Sequence, residues 1–360
     1  MLLGIAFLVP AALATLAVDV LSPFGVLEWL ATLLLAIGLI SAPWRERRPW
    51  GPSRTGLVAL VALFLIRFAG GGYSPHARLE VLPRGHETRV VDRLFEERDA
   101  AILGARLFTW TGTFAAPEFP TLAPLLVTAY DDMELELGHR LGTTLLSTTF
   151  GHDTGDAFDS FIIEPDGEPR GTVIFLHGYA GNFVLYCWQV AVAARAANMR
   201  TFCPSTEFAG RWWTVHSERI VRAALAYSAR QGDVVVLAGL SAGGFGASRL
   251  APELHGTIDG LVLLSGADPE APDPLVPTLL VHGDHDGMFP IDEARTYRDA
   301  HPDRATLQEM PGTHFLLIEQ RANVRAAITR FLFDRQRDLR LAPPVPAVRA
   351  ADARSRSGPP

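Results

Sequence analysis

From Gly171 onward, short unbroken apolar runs alternate with longer amphipathic stretches, and this alternation restricts the chain more than any other feature. "GTVIFLHG", "DVVVLAG", "GLVLLSG" and "PTLLVHG" are rich in β-branched residues and leucine, and each closes on glycine. Between them lie "NFVLYCWQVAVAARAANM", "HSERIVRAALAYSARQG" and "SAGGFGASRLAPELH", which read as helices. Strands that show no polar alternation are buried on both faces, so helices must cover both sides of a mostly parallel sheet. "RTFCPS" and "ATLQEMPG" supply further short strands, and "EQRANVRAAITRFLF" a closing helix. "TTLLSTTF" and "DSFIIEP" read as the two strands of a hairpin around "GHDTGDA". The class is α/β.

A chain of 360 residues has room for one such domain with accessories. The alternating pattern occupies residues 143–335. Residues 73–142 form a connector with no chemical motif: "VVDRLFEERDAAILGARL" has helical periodicity, and the proline-broken "FAAPEFPTLAPLL" reads as a loop. The tail 336–360 has the composition of a disordered segment.

Residues 1–72 read as a membrane anchor. Three apolar runs open the chain, 2–18, 24–42 and 56–69. The second is long enough to span a bilayer core, whereas the other two are marginal and Arg67 in the third must reach an interface. Three transmembrane helices are expected, with the alternative that the first run is a cleaved signal peptide ending near "AALA". The arginine-rich loop "PWRERRPWGPSR" favours a cytoplasmic position, which puts the catalytic domain on the extracytoplasmic side.

The totals exclude several chemistries. Net charge is −7 with no basic region to neutralise phosphates, so no nucleic-acid partner is expected. The sequence contains no lysine, which removes a P-loop lysine, a pyridoxal Schiff base and a Ser–Lys dyad together. The two cysteines, Cys187 and Cys203, form no CxxC pair, and no metal or organic cofactor is expected. Whether they join as a disulfide depends on geometry and on the compartment.

Gly239-Leu240-Ser241-Ala242-Gly243 fits G-x-S-x-G. The match is weak alone, but it falls directly after a strand and directly before a helix. That is where a sharp turn holds a serine nucleophile above a sheet, with a helix N-terminus beneath the developing anion. Upstream, "FLHGYAGN" places a glycine-rich loop at the end of an earlier strand. An acyl-transfer site needs two backbone donors for its oxyanion, and the N–H groups of Tyr179 and Ala242 are the candidates. His177 reads as a structural residue of this loop. In "LLVHGDHDGMFP", Asp286 is the candidate carboxylate and Asp284 its rival, closer to the strand end. His314 in "MPGTHFLLIE" is the candidate proton shuttle. The chain order serine, acid, histidine suits this architecture. Trp212 and Trp213 either line a substrate pocket or anchor a loop.

With "HGYAG", "GLSAGG", "HGDHDGMFP" and "GTHF", residues 143–335 resemble the α/β-hydrolase superfamily, its esterases, lipases and small depolymerases in particular. The resemblance implies a covalent acyl-enzyme mechanism in which Ser241 attacks, His314 shuttles the proton, Asp286 orients it and water completes the cycle. Many members insert a helical lid between the sixth and seventh strands. Here "ADPEAPDPLV" is too short for one, so the site is expected to be open or covered by the connector. The expected function is a membrane-anchored serine hydrolase acting on small-molecule or lipid carboxylic esters. A peptidase, an acyltransferase and a non-catalytic binding module stay open.

Overall fold

The computed structural model describes residues 22–41, 52–70, 74, 76–83, 86–87, 89–93, 97–112, 118–138, 142–154, 156–228 and 233–341. Its centre is a nine-stranded sheet, β1 (Ala77–Leu82), β2 (His86–Glu87), β3 (Phe158–Ile163), β4 (Gly171–Leu176), β5 (Arg200–Pro204), β6 (Val234–Leu240), β7 (Gly260–Leu264), β8 (Thr278–Gly283) and β9 (Ala305–Met310). The spatial order is β2-β1-β3-β5-β4-β6-β7-β8-β9. Strands β5, β4 and β6 to β9 run parallel, while β1, β2 and β3 add an antiparallel edge. This mostly parallel sheet with helices on both faces is consistent with an α/β-hydrolase fold.

The helices are α1 (Pro23–Ser41), α2 (Pro52–Gly70), α3 (Glu97–Trp110), α4 (Glu118–Leu137), α5 (Leu145–Thr149), α6 (Val184–Ala196), α7 (Val215–Ser228), α8 (Ala242–Leu250), α9 (Ile291–Ala300), α10 (Leu316–Glu319) and α11 (Arg321–Leu341). Successive strand residues point to opposite faces, and the sheet therefore feeds two cores. Val173, Phe175, Val236 and Ala238 pack under α6, α11, α3 and α4. Ile174, Leu176, Val235 and Leu237 pack under α7, α8 and α9.

Several expectations are corrected. Residues 145–149 form a helix rather than the first strand of a hairpin. Their hydroxyls supply the reason: Thr148 and Thr149 donate to the carbonyls of Thr144 and Leu145, and Ser147 donates to Asp92. Strand β3 instead pairs with β1, so the sheet takes in residues from the connector. Leu82 at the end of β1 stands directly opposite Phe158 at the start of β3, and between them the two-residue β2 pairs back onto β1. From Glu118 onward the proline-broken stretch is helix α4, with Pro124 inside it, and 114–117 lie outside the described residues. Leu122, Leu126, Ala129, Tyr130, Met133 and Leu137 form a buried stripe along it, and that packing overrides the poor propensity of proline. Helix α11 runs through Leu341, so 336–341 is helical, with Gln336 Nε2 donating to the Ala197 carbonyl at 2.8 Å. The remainder of the expected tail, 342–360, lies outside the described residues.

The second and third apolar runs are helices α1 and α2, which pack so closely that a Cβ on Gly56 would lie 2.4 Å from the Leu35 nitrogen. Among the described residues no helix is long and apolar enough to cross a membrane. Both α1 and α2 run unbroken for 19 residues, with Glu28 and Thr32 among the apolar residues of the first and Arg54 and Thr55 near the start of the second. The expected spanning role is therefore not supported for these two, and the first run lies outside the described residues.

Two polar ties fix the connector. Asp99 of α3 accepts the backbone N–H and hydroxyl of Ser22, at 2.9 and 2.8 Å, immediately before α1. Glu97 is buried and accepts the N–H groups of Val184 (2.7 Å) and Leu185 (3.0 Å) at the start of α6, along with the Tyr130 and Thr143 hydroxyls. Burial pushes its carboxyl up to about 7 against the pull of these donors. A disulfide joins Cys187 of α6 to Cys203 of β5.

Candidate active site

Strand β6 ends at Leu240 and helix α8 begins at Ala242, so Ser241 alone makes the turn between them. Its φ is 56° and its ψ −120°, a conformation that costs of order 1–3 kcal/mol for a residue with a Cβ. The surroundings hold it there. The Ser241 N–H donates to the Leu264 carbonyl at 2.9 Å, and its own carbonyl accepts Phe245 N–H at 2.9 Å, the first bond of the helix. Only glycine fits beside it: a Cβ on Gly239 would meet the Gly243 oxygen at 2.2 Å, and one on Gly243 would meet the Leu176 oxygen at 2.1 Å.

His314 lies in the loop after β9. Its Nε2 is 2.9 Å from Ser241 Oγ and its Nδ1 is 2.8 Å from Asp286 Oδ2. Asp286 follows β8 and is further held by the N–H groups of Met288 (2.9 Å) and Phe289 (2.8 Å) on Oδ1. Burial works to raise its carboxyl, but hydrogen bonds from His282 and His314 outweigh it and hold the group well below the usual carboxylate range. An ionised Oδ2 accepts from Nδ1–H, which leaves Nε2 free to accept the serine proton.

The structure thus brings Ser241, His314 and Asp286 into one line of hydrogen bonds. The rival Asp284 faces away and accepts the Gly312 N–H at 3.0 Å, serving the turn.

The glycine-rich loop lies directly over the serine. A Cβ on Gly178 would be 3.1 Å from Ser241 Cβ, and Tyr179 lines the same cavity as Ser241. Ala180 adopts φ 77°, and its N–H donates to the Phe208 carbonyl at 2.9 Å. Ala242 is the first residue of α8, so its N–H has no intrahelical acceptor. Tyr179 thus lines the cavity at Ser241, and Ala242 follows the serine directly.

His177 is buried, and that burial lowers its imidazole to about 4. Its Nε2 accepts the Thr206 N–H at 3.2 Å, so Nδ1–H donates to the Gly178 carbonyl at 2.7 Å. Trp212 is also buried; its Nε1–H donates to the His177 carbonyl at 2.8 Å and its ring meets His177 edge-on at 5.1 Å. Trp213 packs against Phe245 at 5.1 Å. Trp212 thereby anchors the loop that carries Tyr179, and neither tryptophan is among the residues lining the two cavities beside Ser241.

Three neighbours went unassigned in the sequence. His282 Nε2 donates to the Phe289 carbonyl at 2.8 Å and lies 3.3 Å from Asp286 Oδ2. Phe289 stacks on the His314 ring, with centroids 5.8 Å apart and planes 16° apart, and Phe315 meets it edge-on. The one available signal was adjacency, since all three lie within four positions of Asp286 or His314. Among the described residues no group of His, Cys, Asp and Glu side chains is suited to a metal ion. Chemically, the arrangement sets a serine hydroxyl against an imidazole nitrogen whose partner nitrogen is held by a carboxylate.

No family model matches this sequence, and no curated protein matches it. Among solved structures the chain is similar to Est1E from Butyrivibrio proteoclasticus, with 19% identity, TM-score 0.42, and 50% of this chain and 94% of that one covered. It is similar to a monoacylglycerol lipase from Paleococcus ferrophilus, with 15% identity, TM-score 0.41, and 49% and 99% covered. A hyperthermophilic esterase from the archaeon Pyrobaculum calidifontis is similar at 14% identity and TM-score 0.43, with 54% and 89% covered.

Proposed function

We propose that this chain is a serine hydrolase that cleaves carboxylic esters through an acyl-enzyme. The supporting observation is the hydrogen-bonded line from Ser241 through His314 to Asp286, with the serine on a strained strand-to-helix turn. Ser241 Oγ attacks the ester carbonyl while His314 Nε2 takes its proton. The carbonyl oxygen becomes an oxyanion beside the N–H groups of Tyr179 and Ala242. The C–O bond to the alcohol then breaks, and His314 returns the proton to the leaving oxygen. Water repeats the sequence: His314 takes its proton, hydroxide adds to the acyl carbon, and Ser241 leaves with the proton restored. Asp286 stabilises the imidazolium at each turn.

The same reading places the enzyme at a lipid surface on the extracytoplasmic side. Leu27, Leu30, Leu34, Leu57, Val61 and Leu65 are exposed on α1 and α2, an apolar surface suited to a bilayer interface. The Cys187–Cys203 disulfide favours an oxidising compartment.

The test is labelling of the detergent-solubilised chain with a fluorophosphonate probe beside Ser241→Ala. Labelling of the native protein alone is expected, with turnover of short acyl esters. Equal labelling of both, or of neither, overturns the reading.

A further inference from the structure

Two adjoining cavities lie along the glycine-rich loop, the smaller of them at Ser241. The smaller, about 70 Å³, is bounded by Ser241, His314, Leu240, Gly178, Tyr179 and Met288. The larger, about 290 Å³, lies behind it, between α3, α4 and the glycine-rich loop. They share Phe108, Tyr179, Ala180, Phe183, Tyr186 and Phe315 as lining residues, so the two spaces adjoin across these side chains. Its volume is close to the lower end of the roughly 300–1,000 Å³ of ligand sites.

We propose that the larger cavity is an acyl chamber for an unbranched aliphatic chain of medium length, and that Gly104 of α3 sets its depth. The inference rests on the ester-hydrolase reading and names the substrate class of that site. No charged side chain lines the chamber. The polar groups nearest its far wall are already engaged, the Tyr130 hydroxyl on Glu97 and the Thr149 hydroxyl on the Leu145 carbonyl. A charged group entering here loses water and meets no charged side chain, whereas each methylene gains. The acyl part stays bound through both half-reactions, while the alcohol leaves after the first. The apolar space beside the nucleophile's cavity therefore suits the acyl part.

Gly104 carries the sharpest sign. It lines the chamber from the middle of a helix, where glycine costs more than alanine. Its backbone is ordinary helix and a Cβ there would meet nothing within 4 Å, so neither strain nor crowding calls for glycine. What the missing side chain provides is room.

The test compares the native chain with Gly104→Leu on p-nitrophenyl acetate, butyrate, octanoate and palmitate. Specificity in the native protein is expected to rise from acetate to octanoate by up to about fourfold per methylene, then to fall for palmitate. Gly104→Leu is expected to lower the octanoate-to-acetate ratio of kcat/KM by about tenfold or more. An unchanged ratio overturns the proposal, and so does a loss that follows the alcohol when alkyl acetates of increasing length are compared.

Octanoate binding, read as a thermal shift in Ser241→Ala with and without Gly104→Leu, separates the two claims. Stabilisation that Gly104→Leu removes, without ester turnover in the native chain, sinks the hydrolase reading and leaves the chamber. Turnover with no such stabilisation sinks the chamber alone.

Discussion

His282 Nε2 lies 3.3 Å from Asp286 Oδ2, the same oxygen that His314 Nδ1 reaches at 2.8 Å. His282 sits within β8 and is buried, so one end of this shared oxygen is fixed by the sheet itself. The loop carrying Asp286 needs such a hold, because the acid must present Oδ2 to His314 in one orientation.

His282 acts through Asp286 and touches no reacting atom. His282→Phe removes one donor to a charged acceptor, worth about 1.5–3 kcal/mol in general. The expected outcome is a fall in kcat of about tenfold or more with KM little altered, and His282→Gln recovering part of it. Steady-state kinetics on a short ester decides; a change confined to KM contradicts the positioning role.

Buried carboxyls divide the pH dependence of stability. Glu97 is raised from 4.5 to about 7, so its contribution is present in full below 4.5 and is lost as pH rises through 7, at about 3 kcal/mol. Asp286 is depressed, so its contribution is present above the ordinary carboxylate range and is lost only as pH falls through its lowered value. Asp92, raised to about 7 by burial beside Asp159, adds to the Glu97 trend. Thermal melts from pH 4.5 to 8 are expected to show native stability declining toward alkaline pH, with a shallower decline in Glu97→Gln.

The disulfide joins residues 16 apart in sequence and is expected to contribute about 3 kcal/mol. Dithiothreitol should lower Tm by roughly 5–10 °C. The double variant Cys187→Ala and Cys203→Ala should start at the lower value and ignore the reductant. A native Tm that does not move under full reduction contradicts this.

Membrane seating is tested on α1. Leu30 and Leu34 are exposed on that helix, away from the catalytic residues. Leu30→Glu with Leu34→Glu is expected to reduce co-sedimentation with phosphatidylcholine vesicles about tenfold or more. Retention equal to the native chain excludes this face as the seat.

Legibility in the sequence followed locality. The turn at Ser241 was readable because its strand, its glycines and its helix are contiguous. So were the strands from β4 onward, whose apolar runs need no partner to identify them. Strand β1, "ARLEVL", was missed because it alternates and meets β3 only after a long excursion. Helix α9, "IDEARTYRDA", buries little beyond Ala294 and Tyr297, so its polar sequence gave no core signal. His282 and Phe289 escaped because their meaning depends on how a loop turns back on β8.

The pairing of Leu82 with Phe158 has a further consequence. Apart from the two-residue strand β2, residues 83–157 are one long loop to the sheet, and lengthening such a loop costs only about 0.6 kcal/mol per doubling. Residues within that loop wall the space behind the nucleophile, while the nucleophile, base and acid all lie outside it. The proposed triad and one side of the proposed chamber thus come from different stretches of one chain, and substitutions on α3 and α4 can resize the chamber at positions that carry none of the triad.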